Sequence, residues 1–310
     1  MTLLGPQRHH PNLRAELDRA GIPEDGRVVV VTAGWQEREN EDDELCEHLG
    51  RPVVNLALHH RSERVFADDP ELFAAHRARQ DQLREIQRLY RFRLDFALDP
   101  ARRLLQRNDL DDDVLDPERE AAIQAVRTLD AQHLARIRGI HRDYNLAVKL
   151  SERPSLASHL DEINGALDGA AAIAIAGGHV AVLLNRLRLF GGRRLFPGPL
   201  PVFAWSAGAM AITRRVVLFH DSPPQGAGNP EILDAGLGLI SHVVALPHAH
   251  QRLRLDDSTR VALFARRFAP DLCASLVPGA AVFWNGRTWR RSNVSRLGLD
   301  GQVGPMEIAA

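Results

Sequence analysis

The stretch Leu200-Pro201-Val202-Phe203-Ala204-Trp205-Ser206-Ala207-Gly208-Ala209-Met210 passes from an apolar run to a serine set among small residues, and then to Ile212-Thr213-Arg214. A short apolar run bounded by proline predicts a buried strand, and the small residues beyond it predict a sharp turn into a helix. That junction decides the fold, because strands leading directly into helices build parallel sheets with both faces covered. The same pattern recurs on either side. Residues 27–32, RVVVVT, and 52–58, PVVNLAL, are expected as strands buried on both faces, with a helix from Glu37 to Leu49 between them. Ala171 to Ala176 predicts a strand closing on Gly177-Gly178, and Val180 to Leu189 the helix that follows. Val243 to Leu246 predicts a further strand, and Ala281 to Trp284 followed by Asn285 to Trp289 a closing hairpin.

From Ser62 to Asn145 the texture is charge-dense and nearly free of glycine. Leu83, Ile86, Leu89, Tyr90 and Leu94 recur at helical spacing, as do Ile123, Val126, Leu129, Leu134, Ile137 and Ile140. Two or three amphipathic helices are expected, broken near the acidic run Asn108 to Asp113 ahead of Pro117. The reading is therefore an α/β protein: a mostly parallel, doubly wound sheet in a single domain over 1–310, with a helical insertion over 62–145. The apolar stripes of the insertion suit a lid over the site or the surface of a homodimer. Arginines from Arg77 to Arg93 are interleaved with Asp81 and Glu85, with Asp95 just beyond, which predicts mixed-charge solvated faces rather than a nucleic-acid surface.

The chain has 310 residues, 45% hydrophobic and 25% charged, with 39 Lys and Arg against 40 Asp and Glu, a formal net charge of −1. No bulk charge draws in nucleic acid or an anionic membrane, so a peptide or small amide is the expected kind of partner. Cys46 and Cys273 form no CxxC spacing, which argues against a disulfide framework or a thiolate zinc site. No run approaches the roughly 18 apolar residues of a membrane span, and the first residues lack a signal-peptide core. A cytoplasmic protein is expected. The acidic residues Glu37, Glu39, Glu41 and Asp42-Asp43-Glu44 are read as a solvated helix start, and neither His59-His60 nor His248-x-His250 completes a ligand set, so no metal and no cofactor is assigned.

In a doubly wound sheet, ligands bind outside the carboxyl ends of the strands, where the opening stretch places Ser206. A serine there serves equally as a helix N-cap, and Gly177-Gly178 alone equally as a tight turn. Read together, they offer a nucleophile in Ser206 and oxyanion donors in the amides of Gly178 and Ala207. Serine needs a base, and His248, in the loop after the next expected strand, stands in place to supply one.

The segments IAGGHVAVLLNRLRLFG, AWSAGAM and GLGLISHVVALPHAHQRLR, in this order, resemble the dipeptidase E and cyanophycinase family of serine peptidases. That resemblance implies the class I glutamine-amidotransferase-like fold, related to flavodoxin. It matches Ser206 to the nucleophile, His248 to the general base, Gly178 and Ala207 to the oxyanion positions, and Arg252 and Arg254 to an Arg-x-Arg pair. It also implies aspartyl or β-aspartyl peptides as substrates, with Gly177, His179 and Arg252 facing them. Arg214 and Arg215 are further cations able to meet a substrate carboxylate. The resemblance covers about residues 160–290 firmly and 27–58 loosely, and leaves the helical stretch aside.

Three departures stand out. Ala204 replaces the family's glycine, His179 its asparagine, and Pro278 falls where the family's third catalytic residue, an acid, belongs. A serine hydrolase of this sequence needs another group to orient His248, with Asp221, Glu231, Asp234 and Asp256 as candidates. The alternative is a catalytically degenerate relative that binds a ligand or serves assembly.

Overall fold

A computed structural model describes residues 1–196, 198–219 and 228–306. Strand β2 (Val28–Val31) lies one strand in from the edge of the larger, seven-stranded sheet, and all four of its valines are buried. Val29 and Val31 enter one apolar core, while Val28 and Val30 enter a second with Leu13, Leu17 and Leu49. Alternation along a pleated strand explains the split, since successive side chains point to opposite faces. β2 pairs in parallel with β3 (Val53–Asn55) and β4 (Ala172–Ile175), and β4 with β5 (Val202–Trp205). Beyond β5 come β1 (Thr2–Leu4), parallel, and the antiparallel strands β10 (Ala281–Trp284) and β11 (Trp289–Ser292). The central sheet is thus mostly parallel and flanked by helices, as the alternating texture predicts.

Several expectations need correction. The run Glu37 to Leu49 is helical only as α2 (Asp43–Leu49), and a tight 3-10 turn with Gln36 at φ 60°, ψ −125° precedes it. Glu39 is drawn into the interior, where its carboxylate accepts from the backbone N–H groups of His59 and His60 at 3.0 and 2.9 Å. It thereby serves the exposed amides at the start of α3 (Leu58–Asp68) instead of forming part of a solvated face. The run PVVNLAL ends as a strand at Asn55, whose side chain accepts from Ala57 N–H at 3.0 Å and turns the chain into α3. The first residues add β1 (Thr2–Leu4) beside β5.

The run Val243 to Leu246 does form β8 (Val243–Pro247), but outside the central sheet. It pairs in parallel with β9 (Leu272–Leu276) at the edge of a four-stranded sheet completed by β12 (Ser295–Leu297) and β13 (Val303–Pro305). Antiparallel β6 (Arg215–Leu218) and β7 (Glu231–Ala235) form a separate ribbon.

The charge-dense stretch folds as two 37-residue helices, α4 (Pro70–Gln106) and α5 (Asp112–Val148), broken at the acidic run. Asp69 caps α4 by accepting from Leu72 N–H at 2.9 Å, with Pro70 at the first position, where a missing N–H costs nothing. Ile86, Tyr90 and Leu94 of α4 are buried, as are Ile123, Val126 and Ile137 of α5, whereas Leu89 faces outward. Among the described residues, no helix is long and apolar enough to cross a membrane.

A buried polar network ties this helix pair to the sheets. Arg267 on α10 (Ser258–Phe268) donates to Asp130 Oδ2 at 2.6 Å and Oδ1 at 2.8 Å, and to the Tyr90 hydroxyl at 2.8 Å. The Tyr90 hydroxyl donates in turn to Asp130 at 2.7 Å, and its ring stacks on His133 at 3.8 Å. Burial holds His133 neutral, pushing it down to about 4. Asp130→Ala removes the carboxylate that, among the described residues, alone pairs with Arg267, and leaves a buried cation, so urea unfolding should show a loss of about 3–5 kcal/mol.

Candidate active site

Ser206 stands between β5 and the short helix α8 (Ala207–Ala211), with φ 51° and ψ −122°. A residue bearing a Cβ resists that conformation, which persists only where packing enforces it. The packing is visible at two glycines. A Cβ on Gly177 would lie 2.7 Å from Ser206 Cβ, and one on Gly208 would lie 2.4 Å from the carbonyl oxygen of Ile175. The carboxyl ends of β4 and β5 therefore press together with only hydrogen atoms between them.

His248 follows β8 and adopts a left-handed conformation, φ 59°, ψ 29°, before the single turn α9 (Ala249–Arg252). Its N–H donates to Leu276 O at 3.2 Å, which anchors the turn to β9. Its Nε2 lies 3.4 Å from Ser206 Oγ, joining the ends of two different sheets. That is the long limit of a hydrogen bond, a common spacing before a substrate tightens the contact. The ring titrates below the ordinary histidine value because burial and then the nearby Arg252 guanidinium disfavour its cation, while a side-chain hydrogen bond with Gln251 acts the other way. At neutral pH the imidazole is therefore free to accept a proton.

Among the described residues, no carboxylate bonds to this ring. Glu231 pairs with Arg91 across to α4, and Gln87 donates to it at 2.9 Å. Asp234 holds His141 and Arg188, each at 2.8 Å; although burial opposes ionisation, these partners keep it down at about 2. Asp256 is exposed, and Asp221 lies outside the described residues. Pro278 occupies an exposed turn just after β9 and has no side-chain donor or acceptor. Gln251, which sequence reasoning passed over, is the group beside the ring. Its signal was its position three residues after His248, where one helical turn brings side chains together.

The two positions expected from the sequence to donate amides to an oxyanion, Gly178 and Ala207, also lie here. Gly178 is exposed with φ 99°, and among the described residues no carbonyl accepts its N–H. Ala207 opens α8, where an amide has no intrahelical acceptor, and its nitrogen lies 3.6 Å from the Cβ position of Gly177. His179 caps α7 (Val180–Leu189), its Nδ1 accepting from Val182 N–H at 3.3 Å, so that nitrogen is engaged locally. Arg252 is half-buried, its pKa lowered by burial, and it has no carboxylate partner among the described residues. Arg215 instead pairs with Asp271, and Arg214 is exposed. No group of three His, Cys, Asp or Glu side chains suited to a metal occurs among the described residues.

No family model matches the chain, and no curated protein matches it. Among solved structures, a peptidase from an acI-B1 Actinobacterium is 14% identical, with 100% of this chain and 95% of that chain covered and a TM-score of 0.45. A candidate Peptidase E protein from Listeria monocytogenes EGD-e is 12% identical, with 96% of this chain and 98% of that chain covered and a TM-score of 0.43.

The close approach at Gly177 has a direct consequence. Gly177→Ala forces its methyl group against Ser206 Cβ and shifts the Ser206 side chain. Labelling of Ser206 by a fluorophosphonate should slow by about a hundredfold or more, with the circular dichroism spectrum unchanged.

Proposed function

We propose that the chain is a serine hydrolase acting on peptides or small amides. The observation that carries this reading is the strained Ser206 with its Oγ 3.4 Å from a neutral His248. Ser206 Oγ attacks the scissile carbonyl carbon while its proton passes to His248 Nε2, and the amides of Gly178 and Ala207 take up the developing oxyanion. Collapse breaks the C–N bond as His248 returns the proton to the leaving amine. Water then gives a proton to His248 and attacks the acyl carbon; the bond to Ser206 Oγ breaks as His248 returns that proton to Oγ, which releases the acid and restores Ser206. Arg252, half-buried and without a carboxylate partner among the described residues, suits a substrate carboxylate, which fits the aspartyl or β-aspartyl peptides implied by the sequence resemblance.

A second reading rests on the ring's surroundings. With Gln251 beside His248 and, among the described residues, no carboxylate bonded to the ring, the site also suits a protein that binds a carboxylate-bearing ligand without turning it over. A fluorophosphonate probe separates the two. The hydrolase reading requires labelling that Ser206→Ala abolishes, together with Ser206-dependent hydrolysis of an aspartyl or β-aspartyl dipeptide. Absence of both sinks it in favour of binding. Asp221→Asn in the same assay shows whether that carboxylate takes part, through a loss of roughly four orders of magnitude in turnover.

The pH profile follows from the direction of the His248 shift. The base works as neutral imidazole, so a lowered pKa extends activity toward acid. The acidic limb of kcat/KM should fall below the ordinary histidine pKa of 6.5. Arg252→Gln removes the cation that helps depress it, so the limb should move upward; a limb that stays put excludes Arg252 as a cause of the shift.

A further inference from the structure

The helix α4 carries an apolar seam that the core does not use. Leu89, Phe92 and Phe96 are 53%, 66% and 68% exposed, and the rings of Phe92 and Phe96 meet edge to face at 5.1 Å. Extended in both directions, the same face runs Glu85, Leu89, Phe92, Phe96, Asp99, Arg103, at alternating steps of four and three residues. That spacing is the seam of a coiled coil, where each apolar side chain enters a hole on a facing helix. Beside it opens a cavity of ≈ 380 Å³ lined by Ile86, Leu89 and Arg93 of α4 and Leu129 and Gln132 of α5.

The charges bounding the seam select its occupant. Glu85 and Arg88 lie at one end and Asp99 and Arg103 at the other, so the face is neutral overall and suits neither an anionic lipid surface nor nucleic acid. Its two ends are complementary to each other when the helix is reversed. An antiparallel copy centred near residue 94 places Phe92 against the second copy's Phe96, Leu89 against its Asp99 and Glu85 against its Arg103. Arg88 then lies close to the carboxylate of that Asp99. The two ends differ in their ties within the chain: Asp99 and Arg103 pair with each other at 2.9 Å, whereas Glu85 and Arg88 have no ion pair among the described residues. A self-complementary patch of this kind is what a two-fold contact requires.

We propose that α4 is the homodimer surface of this protein, pairing antiparallel with α4 of a second copy through Leu89, Phe92 and Phe96, with Glu85 of each copy facing Arg103 of the other. The second copy's Phe96 seats against Leu89 and Phe92 at the mouth of the cavity. The contact is short, since residues 85–103 span about 27 Å at 1.5 Å per residue, so the dimer is a reversible one.

Sedimentation equilibrium of the full chain, up to about 100 µM, tests this over the range of weak specific association. The wild type should show monomer and dimer in exchange. Phe92→Glu with Phe96→Glu should be monomeric throughout, with unchanged far-ultraviolet circular dichroism, because both side chains lie outside the core. Glu85→Arg should weaken the dimer by about tenfold, and adding Arg103→Glu should recover most of that loss, although the Asp99 pair within the helix is forfeited. A wild type that stays monomeric overturns the proposal, as does a dimer indifferent to the phenylalanine changes. A Glu85→Arg, Arg103→Glu variant no tighter than Glu85→Arg alone overturns the antiparallel register.

Discussion

The contact between the carboxyl ends of β4 and β5 admits no side-chain carbon, and the site is organised by that constraint. Gly177 and Gly208 each sit where a Cβ would collide with a neighbour, Ser206 Cβ in one case and Ile175 O in the other. Because the strands close so tightly, the chain leaves β5 with Ser206 in a backbone conformation it would not choose. The same closure sets Ala207 N–H beside Gly177 and leaves Gly178 at the surface, where among the described residues no carbonyl accepts its N–H. One steric fact therefore sets the backbone at Ser206, Ala207 and Gly178, the three positions on which the proposed function draws.

The elements around this contact were legible wherever local chemistry and tertiary use agree. Val28 to Val31 reads as a doubly buried strand and is one, and Val180 to Leu189 matches α7 residue for residue. AWSAGAM announces the turn because small residues are demanded at successive positions. Legibility fails where a residue's role is set by something distant in sequence. Glu39 reads as one acid among six in a solvated run, yet α3 recruits it to serve amides twenty residues away. β8 has the texture of a central strand but joins β9 in another sheet, a choice made by pairing and not by composition. Thr2 to Leu4 is too short to signal a strand and becomes one because β5 and β10 offer edges on either side.

The helical pair bears on the site through its attachment. Arg188 of α7 donates to Asp234 of β7 at 2.8 Å, and His141 of α5 bonds to the same carboxylate at 2.8 Å. Asn185 of α7 accepts from Arg79 and Gln80 of α4 at 3.1 and 2.9 Å. The helix that begins at the Gly177-Gly178 turn is thus held along its length by α4 and α5. These bonds hold the helix that follows the Gly178 amide, so on the proposed function α4 and α5, remote in sequence, contribute to the geometry of oxyanion stabilisation.

His248 presents the remaining electrostatic problem. A neutral amide from Gln251 can hold the ring in one tautomer, but it cannot offset the positive charge that, on the proposed function, forms when His248 takes the serine proton. Arg252 makes that charge more costly, because it is a second cation in a half-buried place. On the proposed function, a carboxylate-bearing substrate relieves both difficulties. Seated on Arg252, its negative charge cancels the cation that depresses His248, so the base gains strength only when the substrate is bound. Where no carboxylate of the chain bonds to the ring, as among the described residues, this becomes a source of selectivity: a substrate without its own carboxylate meets a base weakened by Arg252, and loses in turnover as well as in binding.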